Sequence, residues 1–171
     1  MKTLKKLLVV ASMLSIVVTV LAGCGEDPVL AYNVQVSEAY SATNNAVGKM
    51  FDDLYTALDK DGKTDIAVLD TIVSGGTKAA REGVAALRAL TPPDAPGVKE
   101  FDASLKLFVS GVEEALVLTG QSYEAAKVGD KAKLSDTEQK LKATFEKVSK
   151  LEDAVIAAQE EMAKKNNISL E

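Results

Sequence analysis

Histidine and tryptophan are absent from all 171 residues, and there is one cysteine. Without histidine, Ser-His-Asp and Cys-His nucleophile systems, His-ligated zinc and the Glu-x-x-His pairs of di-iron bundles are excluded. One cysteine cannot close an intrachain disulfide, so stability has to come from packing. Aromatics are few, with four Phe and four Tyr, while Ala, Val, Leu, Lys and Glu dominate. That composition suits helices packed on helices. Acidic residues outnumber basic ones by 25 to 20 and no basic run breaks the excess. Such a chain is a poor fit for nucleic acid or for anionic lipid headgroups.

Long hydrophobic runs are also scarce. The one that stands out, Leu7 to Val20, is interrupted only by Ser12, Ser15 and Thr19 and follows Lys2, Lys5 and Lys6. Its length is that of a secretory h-region and falls short of the ~20 residues of a membrane-spanning helix. It leads into Leu21-Ala22-Gly23-Cys24, where the only cysteine sits. This stretch resembles the lipobox of bacterial lipoproteins at all four positions. The resemblance implies that residues 1–23 are a signal peptide to be removed, and that Cys24 becomes the N-terminus. It further implies a diacylglycerol on the Cys24 sulfur, often with an added N-acyl chain. The alternative is an ordinary secretory signal followed by a free exported thiol, an oxidation liability. Two or three acyl chains, each contributing ~0.8 kcal/mol per buried methylene, make attachment effectively permanent. The expected location is the outer membrane facing the periplasm in a Gram-negative cell, towards which Gly25 after the cysteine points. In a cell with one membrane it is the outer face of that membrane.

Loss of residues 1–23 removes three lysines and leaves a net charge of −8 on the remaining 148 residues, enough for one domain with a real core. Asp27-Pro28 has the form of a helix N-cap followed by proline at the first helical position. Residues 24–27 therefore form a short tether that holds the domain close to the membrane, and 28–166 form the fold. Val36, Tyr40, Thr43, Val47, Met50, Leu54 and Ala57 recur at alternating spacings of four and three, a coiled-coil-like seam on a first helix from Val29 to Leu58. Asp59 to Lys63 is a turn. The second helix runs from Thr64 or Asp65 to Leu90, with Ile66, Leu69, Val73, Gly76, Ala80, Val84 and Leu87 keeping the period through Gly75-Gly76. Thr91 to Gly97, with three prolines, is a corner. A third helix runs from Val98 to about Val128, and Gly129-Asp130 reads as a stop followed by an N-cap. The fourth extends from Lys131, or from the capping box at Ser135-Glu138, to about Lys165. Residues 167–171 read as a frayed tail. Short connections between four long amphipathic helices predict an all-α, up-down-up-down antiparallel four-helix bundle.

From Ala89 onward the chain is similar to periplasmic b-type cytochrome bundles. The Thr91-Pro92-Pro93 corner, Pro96, Val98 to Asp102, Val112 to Leu116 and Gly129-Asp130 carry the likeness. It implies the same architecture without haem, since the fourth-helix histidine ligand does not exist here and no methionine stands near the start of the first helix. No cofactor is expected beyond the acyl groups on Cys24.

Other constellations have bland readings beside sharper ones. Asp59, Asp61 and Asp65 surround Gly62, but a calcium loop on that glycine would need ligands at Ala57 and Val68. A capping turn is the better reading. The tyrosines Tyr32, Tyr40, Tyr55 and Tyr123 either line a cavity or bury rings with hydroxyls at the surface, the second being preferred. Asn33, Asn44 and Asn45 are candidates for an exposed contact face. Gly75, Gly76 and Gly111 leave room for a pocket or for close helix packing. The functional expectation is a non-enzymatic, membrane-anchored envelope protein whose bundle docks on another envelope protein. The alternative is a small-ligand binding or sensing module with a pocket between helices.

Overall fold

The structure is a computed structural model and describes residues 27–58 and 65–170. The lipobox residues Leu21, Ala22, Gly23 and Cys24, and most of the first interhelical turn, lie outside the described residues. Among the described residues every element is helical: α1 (Pro28–Leu58), α2 (Ile66–Ala89), α3 (Val98–Lys127) and α4 (Lys131–Lys165). Their packing is that of a helical bundle.

Local chemistry sets the helix ends. The Asp27 carboxylate accepts from the Val29 amide at 2.8 Å, which caps α1 with Pro28 in its first turn. Asp65 does the same for Ala67 at the start of α2, and Asp130 for Lys133 at the start of α4. The Ser135 capping box is therefore not used as a helix start. Gly97 and Gly129 adopt φ of 79° and 72°, where a Cβ would be strained, and they bound α3 on either side. α2 passes through Gly75-Gly76 without a break.

The C-terminal segment departs from the frayed tail expected of it. Asn167 takes φ 53°, the Ile168 amide reaches back to the Ala163 carbonyl at 2.9 Å, and Ile168 packs on the core. This is a Schellman-type stop in which asparagine replaces glycine. The Asn166 side chain also donates to the Pro96 carbonyl at 2.8 Å, tying the end of α4 to the proline corner.

The helices pair unevenly. α1 with α2 and α3 with α4 make the closest associations, and α2 with α3 a looser one. Between α1 and α2 the approach is allowed by glycine. A Cβ on Gly83 would overlap Thr43 Oγ1 and lie 3.0 Å from the Thr43 backbone nitrogen, and one on Gly76 would fall within 2.9 Å of Met50 Sδ. Ion pairs span the helices at Asp70–Lys127 and Glu114–Lys147.

The main core draws on Val29, Tyr32, Val36 and Tyr40 of α1, Val84 and Leu87 of α2, Val98 to Val109 of α3, and Val155 and Met162 of α4. It thus occupies the first halves of α1 and α3 and the second halves of α2 and α4. Tyr32 packs edge-on against Phe101 and Tyr40 lies tilted over Phe108. In the other halves a smaller cluster, Ala115, Leu118 and Leu141 with Phe145, is buried between α3 and α4. The gap between these two clusters positions the candidate site.

Candidate functional site

A partly open cavity of about 90 Å³ lies where the main core ends, lined by α1, α3 and α4. α1 contributes Tyr40, Asn44, Val47, Met50 and Phe51, each within four residues of the next. α3 contributes Phe108, Val112, Ala115, Leu116 and Thr119, and α4 contributes Phe145, Val148, Ser149 and Glu152. Most of the wall is aliphatic or aromatic. Asn44, Tyr40, Ser149 and Glu152 supply a polar group on the side where α1 faces α4.

The Tyr40 hydroxyl donates to Glu152 Oε1 across that seam. The Tyr40 residue is 2 % exposed, and burial, followed by the bond to Glu152, holds its hydroxyl protonated well above the usual phenol range. Burial raises the Glu152 carboxyl above its ordinary 4.5. The Tyr40 hydrogen bond opposes that shift and the neighbouring Asp153 charge adds to it. Among the described residues Glu152 makes no ion pair, although eight carboxylates elsewhere do. A carboxylate that is drawn out of water, held by one neutral donor and left without a cation is the chemical centre of this cavity.

Further along the same seam Gln159 Nε2 donates to Asn33 Oδ1 at 2.7 Å, with both residues buried. Asn33 Nδ2 and Ser37 Oγ are buried there without hydrogen-bond partners. The α1–α4 contact therefore carries buried polar groups at Asn33, Ser37 and Gln159 as well as at Tyr40 and Glu152.

The expected contact face does not survive this geometry. Asn33 is fully buried, Asn44 is half-buried at the cavity, and only Asn45 is exposed. Asn33 and Asn44 are eleven residues apart, just over three whole turns, and so share the inward face, whereas Asn45 lies a further ~100° around the helix. Of the three glycines, Gly75 faces open space. Gly76 and Gly111 are close-packing positions, the latter facing Val148 and Leu151, and none of the three lines the cavity. Gly83, the tightest approach to α1, was not singled out in the sequence. Tyr40 is the one tyrosine at the cavity. Tyr32 donates to Asp102 at 3.1 Å, and Tyr123 donates to Asp70 at 2.9 Å beside a charged groove between α2 and α3.

A signal for Glu152 was present. Phe145, Val148, Glu152, Val155, Gln159 and Met162 are spaced three and four apart without interruption, so both polar residues occupy seam positions of α4. Asn33 extends the α1 seam in the same way.

Among the described residues no cluster of His, Cys, Asp and Glu has the form of a metal site, and no helix is long and apolar enough to cross a membrane. No family model, curated protein or solved structure matches the chain.

Proposed function

We propose that this chain is a lipid-anchored protein of the bacterial cell envelope that works without catalysis, by binding a small molecule between its helices. The observation that carries the binding reading is the cavity between α1, α3 and α4, apolar over most of its wall and ending on the Tyr40–Glu152 pair. A largely apolar pocket with a few convergent polar groups is the usual form of a small-ligand site. An engineered 150 Å³ apolar cavity accepts benzene, so about 90 Å³ takes a smaller body, or part of a larger one.

Anchoring rests on the lipobox Leu21-Ala22-Gly23-Cys24, with Cys24 carrying the diacylglycerol and residues 1–23 removed. Helix α1 begins at Pro28, which leaves Gly25, Glu26 and Asp27 between lipid and fold, a span of roughly 10 Å when extended. The helices run alternately up and down. Residue pairings support this direction, with Thr43 beside Gly83 and Met50 beside Gly76, Asp70 against Lys127 and Arg88 against Glu113. Gly97 beside Met162, Gly111 beside Val148, and Asn33 on Gln159 with Tyr40 on Glu152 complete the set.

The test is native mass spectrometry of the protein extracted gently from its own membranes. The expected result is a chain beginning at Cys24, bearing diacylglycerol and a further small non-covalent mass. Ala115→Leu, which fills the cavity from α3, should remove that small mass and leave the acyl mass in place. A chain without acyl mass would overturn the anchor, and a small mass indifferent to Ala115→Leu would overturn the site.

A second reading, docking on another envelope protein, is favoured by apolar side chains left exposed near the ends of helices. Ile66 and Val68 at the start of α2 and Val128 after α3 are 51 %, 47 % and 74 % exposed. Recovery of a protein partner in the same experiment, lost on Ile66→Lys, would support it.

A further inference from the structure

The chemistry of the cavity narrows the class of molecule it takes. Among the described residues Glu152 is the only charged side chain in its wall and has no ion-pair partner, and it is half-buried. One of its oxygens receives the Tyr40 hydroxyl. An ionised carboxylate offers acceptors only, so what completes it must donate. Burial penalises its charge, and a cation placed beside it relieves that penalty, which a neutral donor does only in part. Aromatic rings from all three helices, Phe51, Phe108 and Phe145, stand in the same wall. Among the described residues no lysine or arginine lines the space to compete for the site.

We propose that the cavity binds a small organic ammonium ion, with the cationic head on the Glu152 carboxylate and a short apolar body against Val112, Ala115 and Val148. This assignment rests on the small-ligand reading above and adds the charge of the ligand to it. The about 90 Å³ available limits the buried body to fewer atoms than a benzene ring. A longer amine would have to project its remainder out of the bundle.

The experiment uses two probes of nearly equal shape, n-butylammonium and n-butanol, titrated into the full bundle with the methyl resonances of Val112, Ala115 and Val148 observed by NMR. The expected result is shifts at these methyls with both probes and about tenfold tighter binding of the ammonium, the scale of one charge-assisted hydrogen bond. Glu152→Gln keeps the volume and an acceptor for Tyr40, and it should erase the preference while butanol still binds. Equal or tighter binding of butanol to the natural chain would overturn the cationic assignment and leave the small-ligand site standing. Ammonium binding that moves none of the three methyls, or that survives Glu152→Gln undiminished, would also overturn it. Failure of both probes to move the methyls would bring down the small-ligand reading itself. Far-UV circular dichroism of Glu152→Gln, matched to the natural chain, keeps a folding defect from passing for a lost preference.

Discussion

Tyr40 and Glu152 meet across the α1–α4 seam, hydroxyl to carboxylate, at the point where the main core gives way to a cavity. The pair places a titratable group against a largely apolar wall, which makes stability and pH dependence direct probes of the site.

Folding raises the Glu152 pKa above its ordinary 4.5. The unfolded chain therefore loses this proton first as pH rises, and stability from this group is full below about pH 4.5 and declines as pH climbs through the raised folded value. Glu152→Gln removes the decline. Urea unfolding should show the variant more stable than the natural chain at neutral pH, with the difference closing towards pH 4. A variant less stable at neutral pH would show that the charged form is favoured by the fold.

Asp70 should behave in the opposite sense. Lys127 Nζ reaches both of its oxygens at 2.8 Å, and that hydrogen bond, followed by the one from Tyr123, lowers the carboxyl below its ordinary 3.8. Its contribution is present above that value and is lost as pH falls through the folded one. In a carboxyl NMR titration Asp70 should ionise below the ordinary range, and Lys127→Ala should move it upward.

The glycines of α2 separate conformational entropy from packing. Gly75 faces open space, so Gly75→Ala should stabilise by roughly 0.5–1 kcal/mol. At Gly83 an added methyl meets the Thr43 backbone, which cannot move without moving α1, so Gly83→Ala should destabilise by about 1–3 kcal/mol. Gly76→Ala falls on the Met50 side chain and should also destabilise. Thermal unfolding of the three variants orders them.

Asn33 and Gln159 form a buried polar pair in which Asn33 Nδ2 is already unpartnered. Asn33→Ala strands the Gln159 donor and should cost about 1–3 kcal/mol. Replacing both residues with leucine should be close to neutral or stabilising, because it removes the buried polar atoms of both side chains together. Denaturant unfolding of the two singles and the double checks this. Additive single and double costs would show that the two side chains are energetically independent.

Much of the helical architecture could be read from local chemistry. Asp27-Pro28, Asp65, the proline corner at 91–97 and Gly129-Asp130 each act through their own backbone, so the four helix boundaries were open to inspection in the sequence. The apolar seams likewise identified Val36, Tyr40, Met50, Val73, Val84 and Leu87 as interior. Asn33, Gln159 and Glu152 were harder to read, although they sit at seam spacing. A polar residue at such a position is tolerated only when a particular partner stands opposite, and the partner lies more than a hundred residues away in the chain.

The sequence by itself determined the ends of the four described helices and the absence of histidine chemistry, since these depend on residue type and near neighbours alone. Tertiary packing decided the rest. It turned Asn33 and Asn44 inward, left Gly75 open while making Gly76 and Gly83 contact points, and folded Ile168 back onto the core. It also created the cavity, because two apolar clusters at different levels of the bundle do not meet between α1 and α4. That gap is a property of how four helices fit together, and no single helix carries it.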